Sequence, residues 1–176
     1  MSTHKWIDGG HALLVPKCGI RADGTHLVLG RGENTLTART QLVDEDLTSD
    51  LAMWAMCGDQ DRFRLEAGVT APGTEAWQGS VCIRAPFENS QVEIHSTIAM
   101  FDSKEQDYLW KAIPQGDDFY AIQLVPNSRQ NLNVAGDGNY RVGTQIFSWR
   151  WNDGAPNELW KIIWLTDGAH GKWEKD

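Results

Sequence analysis

The segment Asn157-Glu-Leu-Trp160-Lys-Ile-Ile163 decides the fold, because two similar segments precede it in the chain. They are Gln106-Asp-Tyr-Leu-Trp110-Lys-Ala-Ile113 and Asp50-Leu-Ala-Met-Trp54-Ala-Met56. The three tryptophans lie 56 and 50 residues apart, and a further step back of 48 residues reaches Trp6. Repetition at such a period is typical of a fold built from equal units. The sequence therefore predicts three units, at about 6–54, 55–110 and 111–164, each closed by a Trp strand.

Short apolar runs between Gly, Asn, Asp and Pro clusters indicate an all-β protein. Clear examples are Ala12–Val15, Ser80–Ile83, Phe119–Val125 and Leu159–Trp164. Many short strands at even spacing are typical of a sandwich or a barrel. Three such units cannot each bury an apolar face alone, so we expect them to pack around a pseudo-threefold axis as one domain over residues 1–165. The alternative is one irregular barrel in which the Trp spacing is accidental. Residues 166–176, dominated by Gly and charge, are expected to form a C-terminal tail.

Length and charge limit the classes of function. With 176 residues and a net charge of −8, the chain is of single-domain size and acidic. Its 16 basic residues are scattered, which argues against a nucleic-acid partner, since phosphates require a Lys/Arg stripe. No apolar run reaches about 18 residues, so no membrane insertion is expected. The first residues lack an apolar segment of signal-peptide length, which predicts a cytoplasmic protein that leaves the cell, if at all, by an unconventional route.

The side chains that usually carry catalysis or bind metals form no known pattern here. Cys18, Cys57 and Cys82 are too few and too far apart for a disulfide framework or a zinc site, so we expect reduced thiols, mostly buried. No HExxH, GxSxG or P-loop motif occurs. No pair of carboxylates stands out as the acid and base of a glycosidase. The sequence predicts a protein that is not an enzyme and needs no cofactor or metal.

The third unit carries the strongest functional pattern. Residues 145–151 alternate as a strand does. If Ile146 faces the core, the rings of Phe147, Trp149 and Trp151 point outward together. A cluster of exposed aromatic rings indicates a recognition surface.

A sugar suits such a surface. A Trp ring covers the apolar C–H face of a pyranose, and planar amides form hydrogen bonds with its hydroxyl groups. Asn133 and Asn157 lie at chain positions that would flank the ring of Trp149. The alternative is that Trp149 or Trp151 packs into the core or under the C-terminal tail.

The ordered elements of this unit resemble a ricin-B-type (R-type) lectin repeat, in particular the repeats of fungal agglutinins. That repeat has a Leu-Asp-Val-like strand, a Gly-rich turn, a Gly-Thr before a strand that ends in Trp, and a closing Asn-Gln-x-Trp. The matching segments here are Leu132-Asn-Val134, Ala135–Gly138, Gly143-Thr144, Gln145–Trp149 and Asn157-Glu-Leu-Trp160. The resemblance is strong over about 130–164. Over 12–113 it rests only on the spacing and the closing Trp. It implies a β-trefoil fold and a carbohydrate-binding protein.

The resemblance also implies roles for individual residues. The family's sugar-stacking aromatic residue matches Trp149, and its hydroxyl-binding Asn matches Asn157. The family's Asp falls on Asn133, which keeps its hydrogen-bonding groups and loses the charge. Gly136 and Trp151 complete the expected carbohydrate-binding set, with a galactose- or GalNAc-type glycan as ligand.

Two further positions depart from the family pattern. A polar residue two before the stacking ring is Phe147 here, and the Gln of the closing motif is Glu158. Trp160 itself matches the family's closing Trp, which is a core residue.

The first two units look eroded at the matching positions. In unit one the closing Asn position falls on Leu51, and in unit two Asp107 takes the place of Asn157 while Phe101 is a candidate stacking ring. We therefore expect one working site per chain, for glycans of glycoproteins or glycolipids. Cross-linking of cells would then need a homodimer, because avidity requires at least two sites.

A different class of function remains open from the sequence. A trefoil-fold protease inhibitor would act through surface loops, and Gly58–Gly79 and Pro126–Asn131 are candidates for such loops. A third alternative is an interaction module with neither a sugar nor a protease as target.

Overall fold

The computed structural model describes residues 6–32, 39–45, 51–70, 77–97, 106–136 and 138–165. These residues form twelve strands and a short 3-10 turn at Lys17–Gly19. The strands are β1 (Gly10–Pro16), β2 (Leu27–Arg31), β3 (Thr40–Asp44), β4 (Trp54–Asp59), β5 (Arg62–Thr70), β6 (Trp77–Arg84), β7 (Glu93–Ser96), β8 (Trp110–Gly116), β9 (Phe119–Leu124), β10 (Gln130–Val134), β11 (Ile146–Arg150) and β12 (Leu159–Trp164).

Six of the strands close into a barrel. Antiparallel pairs run from β1 to β4, β5, β8, β9 and β12 in turn, and β12 pairs back with β1. Closure leaves no free strand edge in the ring. Among the described residues, no helix is long and apolar enough to cross a membrane.

The other six strands form three hairpins, β2–β3, β6–β7 and β10–β11. Backbone hydrogen bonds tie them together, because the N–H of Leu42 donates to the Thr144 carbonyl and the N–H of Val92 donates to the Ile146 carbonyl. Each unit is thus a barrel strand, a hairpin and a second barrel strand. The predicted all-β fold, a β-trefoil with three pseudo-repeats, is confirmed.

The three closing tryptophans occupy equivalent core positions. Trp54, Trp110 and Trp160 are fully buried at or near the start of the fourth strand of their units. Each indole Nε1 donates a hydrogen bond to a backbone carbonyl of the hairpin strand in its own unit. The acceptors are Leu29 at 3.0 Å, Ile83 at 3.4 Å and Leu132 at 2.8 Å. The repeated Trp therefore links barrel and hairpin in every unit, which explains its spacing in the sequence.

The strand that carries Trp149 also forms hydrogen bonds with unit two. The backbone N–H of Ser148 donates to the Ser90 carbonyl at 2.9 Å, and its hydroxyl donates to the Phe87 carbonyl at 3.1 Å. The N–H of Arg150 donates to Oδ1 of Asn89 at 3.3 Å. β11 is therefore held on both edges, by β10 on one side and by the β6–β7 connection on the other.

The three cysteines are free thiols. Cys82 is buried, whereas Cys18 and Cys57 are half-buried. Burial raises the pKa of Cys82 and of Cys18 to about 12, and that of Cys57 to about 11. A thiol with such a pKa is protonated at neutral pH and therefore a poor nucleophile.

Some expectations from the sequence need correction. The segment Gly58–Gly79 is not a loop, because it contains β5 and the beginning of β6. Pro126–Asn131 is a short connection that ends inside β10. Of the two loops suggested for a protease inhibitor, the first is therefore largely strand and the second is a short connection.

One other expectation, the C-terminal tail at 166–176, falls on residues outside the described part of the chain.

Candidate functional site

Strand β11 presents its side chains as the alternation predicted. Ile146 and Ser148 are fully buried, whereas Trp149 is 42% exposed and Phe147 is half-buried. The strand ends at Arg150, so it stops one residue earlier than expected. The Trp149 ring therefore stands on a regular strand whose opposite face is fixed in the core.

A cleft of about 430 Å³ opens beside this ring. Such a volume lies within the range of about 300–1,000 Å³ that is usual for small-molecule sites. Its lining residues are Asn133, Val134, Ala135, Gly136, Phe147, Trp149, Asn152 and Asn157. Four of the five residues predicted for carbohydrate binding, all except Trp151, thus lie in one cleft.

Asn133 and Asn157 form a hydrogen-bonded pair in the cleft. Nδ2 of Asn157 donates to Oδ1 of Asn133 at 2.8 Å and to the Val134 carbonyl at 3.0 Å. The backbone completes the link, since the N–H of Val134 donates to the carbonyl of Asn157 at 2.8 Å. Both donor hydrogens of Asn157 are thereby used. The pair offers a ligand Oδ1 of Asn157 as acceptor and Nδ2 of Asn133 as donor.

A buried carboxylate shapes the loop at the rim of the cleft. Glu158 is fully buried, and its carboxylate accepts hydrogen bonds from the backbone N–H groups of Asn152, Gly154 and Ala155 at 2.8 to 3.1 Å. The loop needs this support because Asp153 and Gly154 have φ of +54° and +80°, in the left-handed region. Glu158 therefore holds Asn152 in place at the cleft.

Gly136 contributes backbone to the cleft wall. Its φ of +101° lies where L side chains are strained, and a Cβ added there would meet open space. Glycine is thus required by the backbone conformation of the turn, and the empty volume beside it belongs to the cleft.

Trp151 lies apart from the other predicted residues. It is 36% exposed and lines a second cleft with Asn131, Gln123, Gln115 and Ser128 among its neighbours. The interpretation of Trp149 and Trp151 as one aromatic cluster is therefore wrong. The reason is that the regular strand ends between them, at Arg150.

One hydrogen bond identifies the equivalent positions in the other units. The bond from the Val134 N–H to the Asn157 carbonyl recurs between Ala85 and Asp107 at 2.8 Å in unit two. In unit one it recurs from the N–H of Arg31 to the carbonyl of Leu51 at 2.9 Å. The residue before each donor then corresponds to Asn133.

Unit two has an ion pair where unit three has its two amides. Nη2 of Arg84 lies 2.6 Å from Oδ2 of Asp107, and their side chains are only 14% and 13% exposed. His95 faces Cys82 across the hairpin as Trp149 faces Asn131, so the register puts a histidine at the stacking position. Phe101, the stacking ring suggested by the sequence, is outside the described residues.

Unit one lacks polar side chains at both positions. Gly30 precedes Arg31 and so corresponds to Asn133, and Leu51 corresponds to Asn157. Within the described ranges, only unit three therefore combines an amide pair with an exposed ring. No group of three or more His, Cys, Asp or Glu side chains in those ranges could hold a metal ion.

Sequence reasoning missed two contributors to the cleft. They are Asn152, which lines the cleft, and Glu158, which holds it there. The signal was present in the Asn152-Asp-Gly154 turn, because backbone N–H groups in a turn lie outside the strand pairing and need an acceptor where they are buried. A buried Glu four to six residues later provides it.

Comparison with known proteins supports the fold. No family model matches the sequence, and no curated protein is detectably similar to it. Among solved structures, a designed threefold-symmetric protein, ThreeFoil, is similar over 87% of this chain and 97% of its own, with a TM-score of 0.62 and 16% identity. A ricin B-like lectin from Macrolepiota procera, solved in complex with lactose, is similar over 90% of this chain and 97% of its own (TM-score 0.57, 15% identity).

Other similar structures are much longer proteins. An exo-β-1,3-galactanase from Clostridium thermocellum has a TM-score of 0.63 and 16% identity over 91% of this chain, which spans 31% of the enzyme. The chain spans 17% of a mosquitocidal holotoxin. At these identities the likeness establishes the fold alone. The resemblance to ricin-B-type lectins is confirmed at that level.

Proposed function

We propose that this protein is a carbohydrate-binding lectin that recognises a galactose- or GalNAc-type glycan in the cleft of unit three. The observation that carries the proposal is the exposed Trp149 ring beside the Asn133–Asn157 amide pair. The ring offers an apolar plane, and the amides offer one donor and one acceptor at its side. A pyranose has the complementary surfaces, an apolar face and a rim of hydroxyl groups.

The chemistry of the cleft favours binding over catalysis. Its polar side chains are the amides of Asn133, Asn152 and Asn157, which neither gain nor lose protons near neutral pH. Glycoside hydrolysis needs a carboxylic acid and a carboxylate on either side of the scissile bond. Glu158, which follows Asn157 in the sequence, uses its carboxylate to hold the rim loop. The ligand would accordingly be released unchanged.

The proposed partners are glycans of glycoproteins or glycolipids. Agglutination would require two clefts per particle, which a homodimer would provide. Size-exclusion chromatography with light scattering measures this directly, and a monomeric protein that binds glycans without agglutinating cells would remove the dimer from the proposal.

Glycan-array binding by the wild type and by Trp149→Ala tests the proposal. We expect the variant to lose binding, with at least a tenfold lower affinity, because the ring supplies the apolar contact. Its free energy of unfolding should change by less than about 1 kcal/mol, since the residue is 42% exposed. Phe87→Ala is the matched control, because Phe87 is an exposed aromatic residue outside the cleft.

Two results would contradict the proposal. One is a wild-type protein that binds no glycan at high concentration. The other is a Trp149→Ala variant that binds as tightly as the wild type.

A further inference from the structure

Asn131 is a buried residue whose amide has no hydrogen-bond partner. It is fully buried, and among the described residues neither its Nδ2 nor its Oδ1 takes part in a hydrogen bond. Buried polar groups are normally paired with protein or with bound molecules, because an unpaired one has lost its water without compensation. Its Oδ1 therefore lacks a donor and its Nδ2 lacks an acceptor, and a bound molecule would supply both.

Asn131 lines the second cleft, the one that contains Trp151. This cleft has a volume of about 330 Å³ and also contains the amide side chains of Gln115 and Gln123 and the hydroxyl of Ser128. Trp151 is the large aromatic ring at its side, and it is 36% exposed. An aromatic plane thus again stands next to side-chain amides, as it does in the first cleft.

The register of the strands joins the two clefts. Asn131 pairs with Trp149 on β11 and with Gln123 on β9, so these three side chains share one face of the sheet. Neighbouring strands lie about 4.8 Å apart, so Asn131 is one strand spacing from Trp149, which lines the first cleft. Asn133, on the same strand and the same face, lines that first cleft. The clefts are therefore adjacent, with Trp149 and Asn131 at the junction.

We propose that the two clefts form one extended binding surface for an oligosaccharide, with one sugar at Trp149 and a following sugar at Trp151. Adjacent hydroxyl groups of the second sugar would give the Asn131 amide both a donor and an acceptor. The inference rests on the proposed function and specifies its ligand as an oligosaccharide.

Titration calorimetry with two probes tests the inference. The probes are lactose and lacto-N-neotetraose, a linear tetrasaccharide that has lactose at its reducing end and a β1-4-linked galactose at its non-reducing end. We expect the wild type to bind the tetrasaccharide about tenfold more tightly than lactose. Trp151→Ala and Asn131→Leu should each reduce the tetrasaccharide affinity to that of lactose and leave lactose affinity unchanged. Arg150→Ala, a change at the exposed last residue of β11 and next to Trp151, is the control and should alter neither affinity.

Folding does not obscure this test. Leu has the same branched arrangement of heavy atoms as Asn131 and removes the unpaired amide, so thermal unfolding of this variant should occur near or above the wild-type temperature. Trp151→Ala changes a residue beyond the end of β11. A second readout is the 19F spectrum of the 5-fluorotryptophan-labelled protein, in which lactose should shift the Trp149 signal and the tetrasaccharide should shift the Trp151 signal as well.

The outcomes separate the two proposals. Equal wild-type affinities for lactose and the tetrasaccharide, or a gain that survives in both variants, would overturn the extended surface and leave the lectin proposal standing; the second cleft would then hold only solvent. Absence of binding to either probe would overturn both, for galactose-terminated ligands.

Discussion

Units two and three place different chemistry on the same scaffold. In unit three Asn133 and Asn157 share a hydrogen bond, and in unit two the equivalent pair is Arg84 and Asp107. The backbone hydrogen bond beside each pair has the same length, 2.8 Å, in both units. The difference between the units therefore lies in the side chains.

The two pairs differ in what they leave for a ligand. The ion pair of unit two satisfies opposite charges within the protein, at 2.6 Å and largely shielded from solvent. The amide pair of unit three is neutral and keeps one donor and one acceptor open to the cleft. A position of this fold can thus hold its unit together in either way, with a charged pair in unit two and a neutral pair in unit three.

The largest effect on stability is expected at the closing tryptophans, which units two and three have in common. Trp110→Ala and Trp160→Ala should each lower the free energy of unfolding by about 3–5 kcal/mol, because both remove a fully buried indole and leave a cavity. Urea denaturation monitored by circular dichroism measures this. A cost below about 1 kcal/mol in one unit and not in the other would show that the units are not energetically equivalent.

An intermediate effect is expected from a feature of unit three alone. Glu158→Ala should lower the free energy of unfolding by about 2–3 kcal/mol, since three backbone N–H groups lose their acceptor at about 1 kcal/mol each. Glycan affinity should fall with it, because Asn152 is no longer held. Glu158→Gln keeps one acceptor oxygen and should therefore retain part of the stability and part of the glycan affinity. Wild-type affinity in the Ala variant would show that the rim loop is held by other means.

The smallest effect on stability is expected when the side-chain pair of unit two is placed in unit three. The same change should abolish glycan binding. Asn133→Arg combined with Asn157→Asp would give unit three the ion pair of unit two. The free energy of unfolding should change by about 1 kcal/mol or less, since such a pair is roughly neutral overall. Glycan binding should disappear from the array. Asn157→Asp alone is the control, and double-variant binding equal to that of the wild type would refute the role of the amides.

The repeat made most of the fold accessible from the sequence. The closing tryptophans fix three units, and Trp160, Trp110 and Trp54 are buried as expected. Strand alternation also placed Ile146 inside and Trp149 outside. These signals are local and periodic, so they survive in a single sequence.

The remainder depends on contacts that sequence spacing does not encode. The strand ends at Arg150, and this end separates Trp151 from Trp149. Loop length differs between units, so equivalence could be established only from shared hydrogen bonds.

The attachment of β11 to unit two bears on the thermodynamics of recognition. Ser148 and Arg150, on either side of Trp149, are bonded to Ser90, Phe87 and Asn89 of the neighbouring unit. A ring carried by a strand that is already immobilised loses little conformational freedom when a ligand arrives, so less of the contact energy is consumed in ordering the protein. Unit two, which has an ion pair in place of the amides, would thus contribute to the proposed affinity as the rigid support of its neighbour's ring.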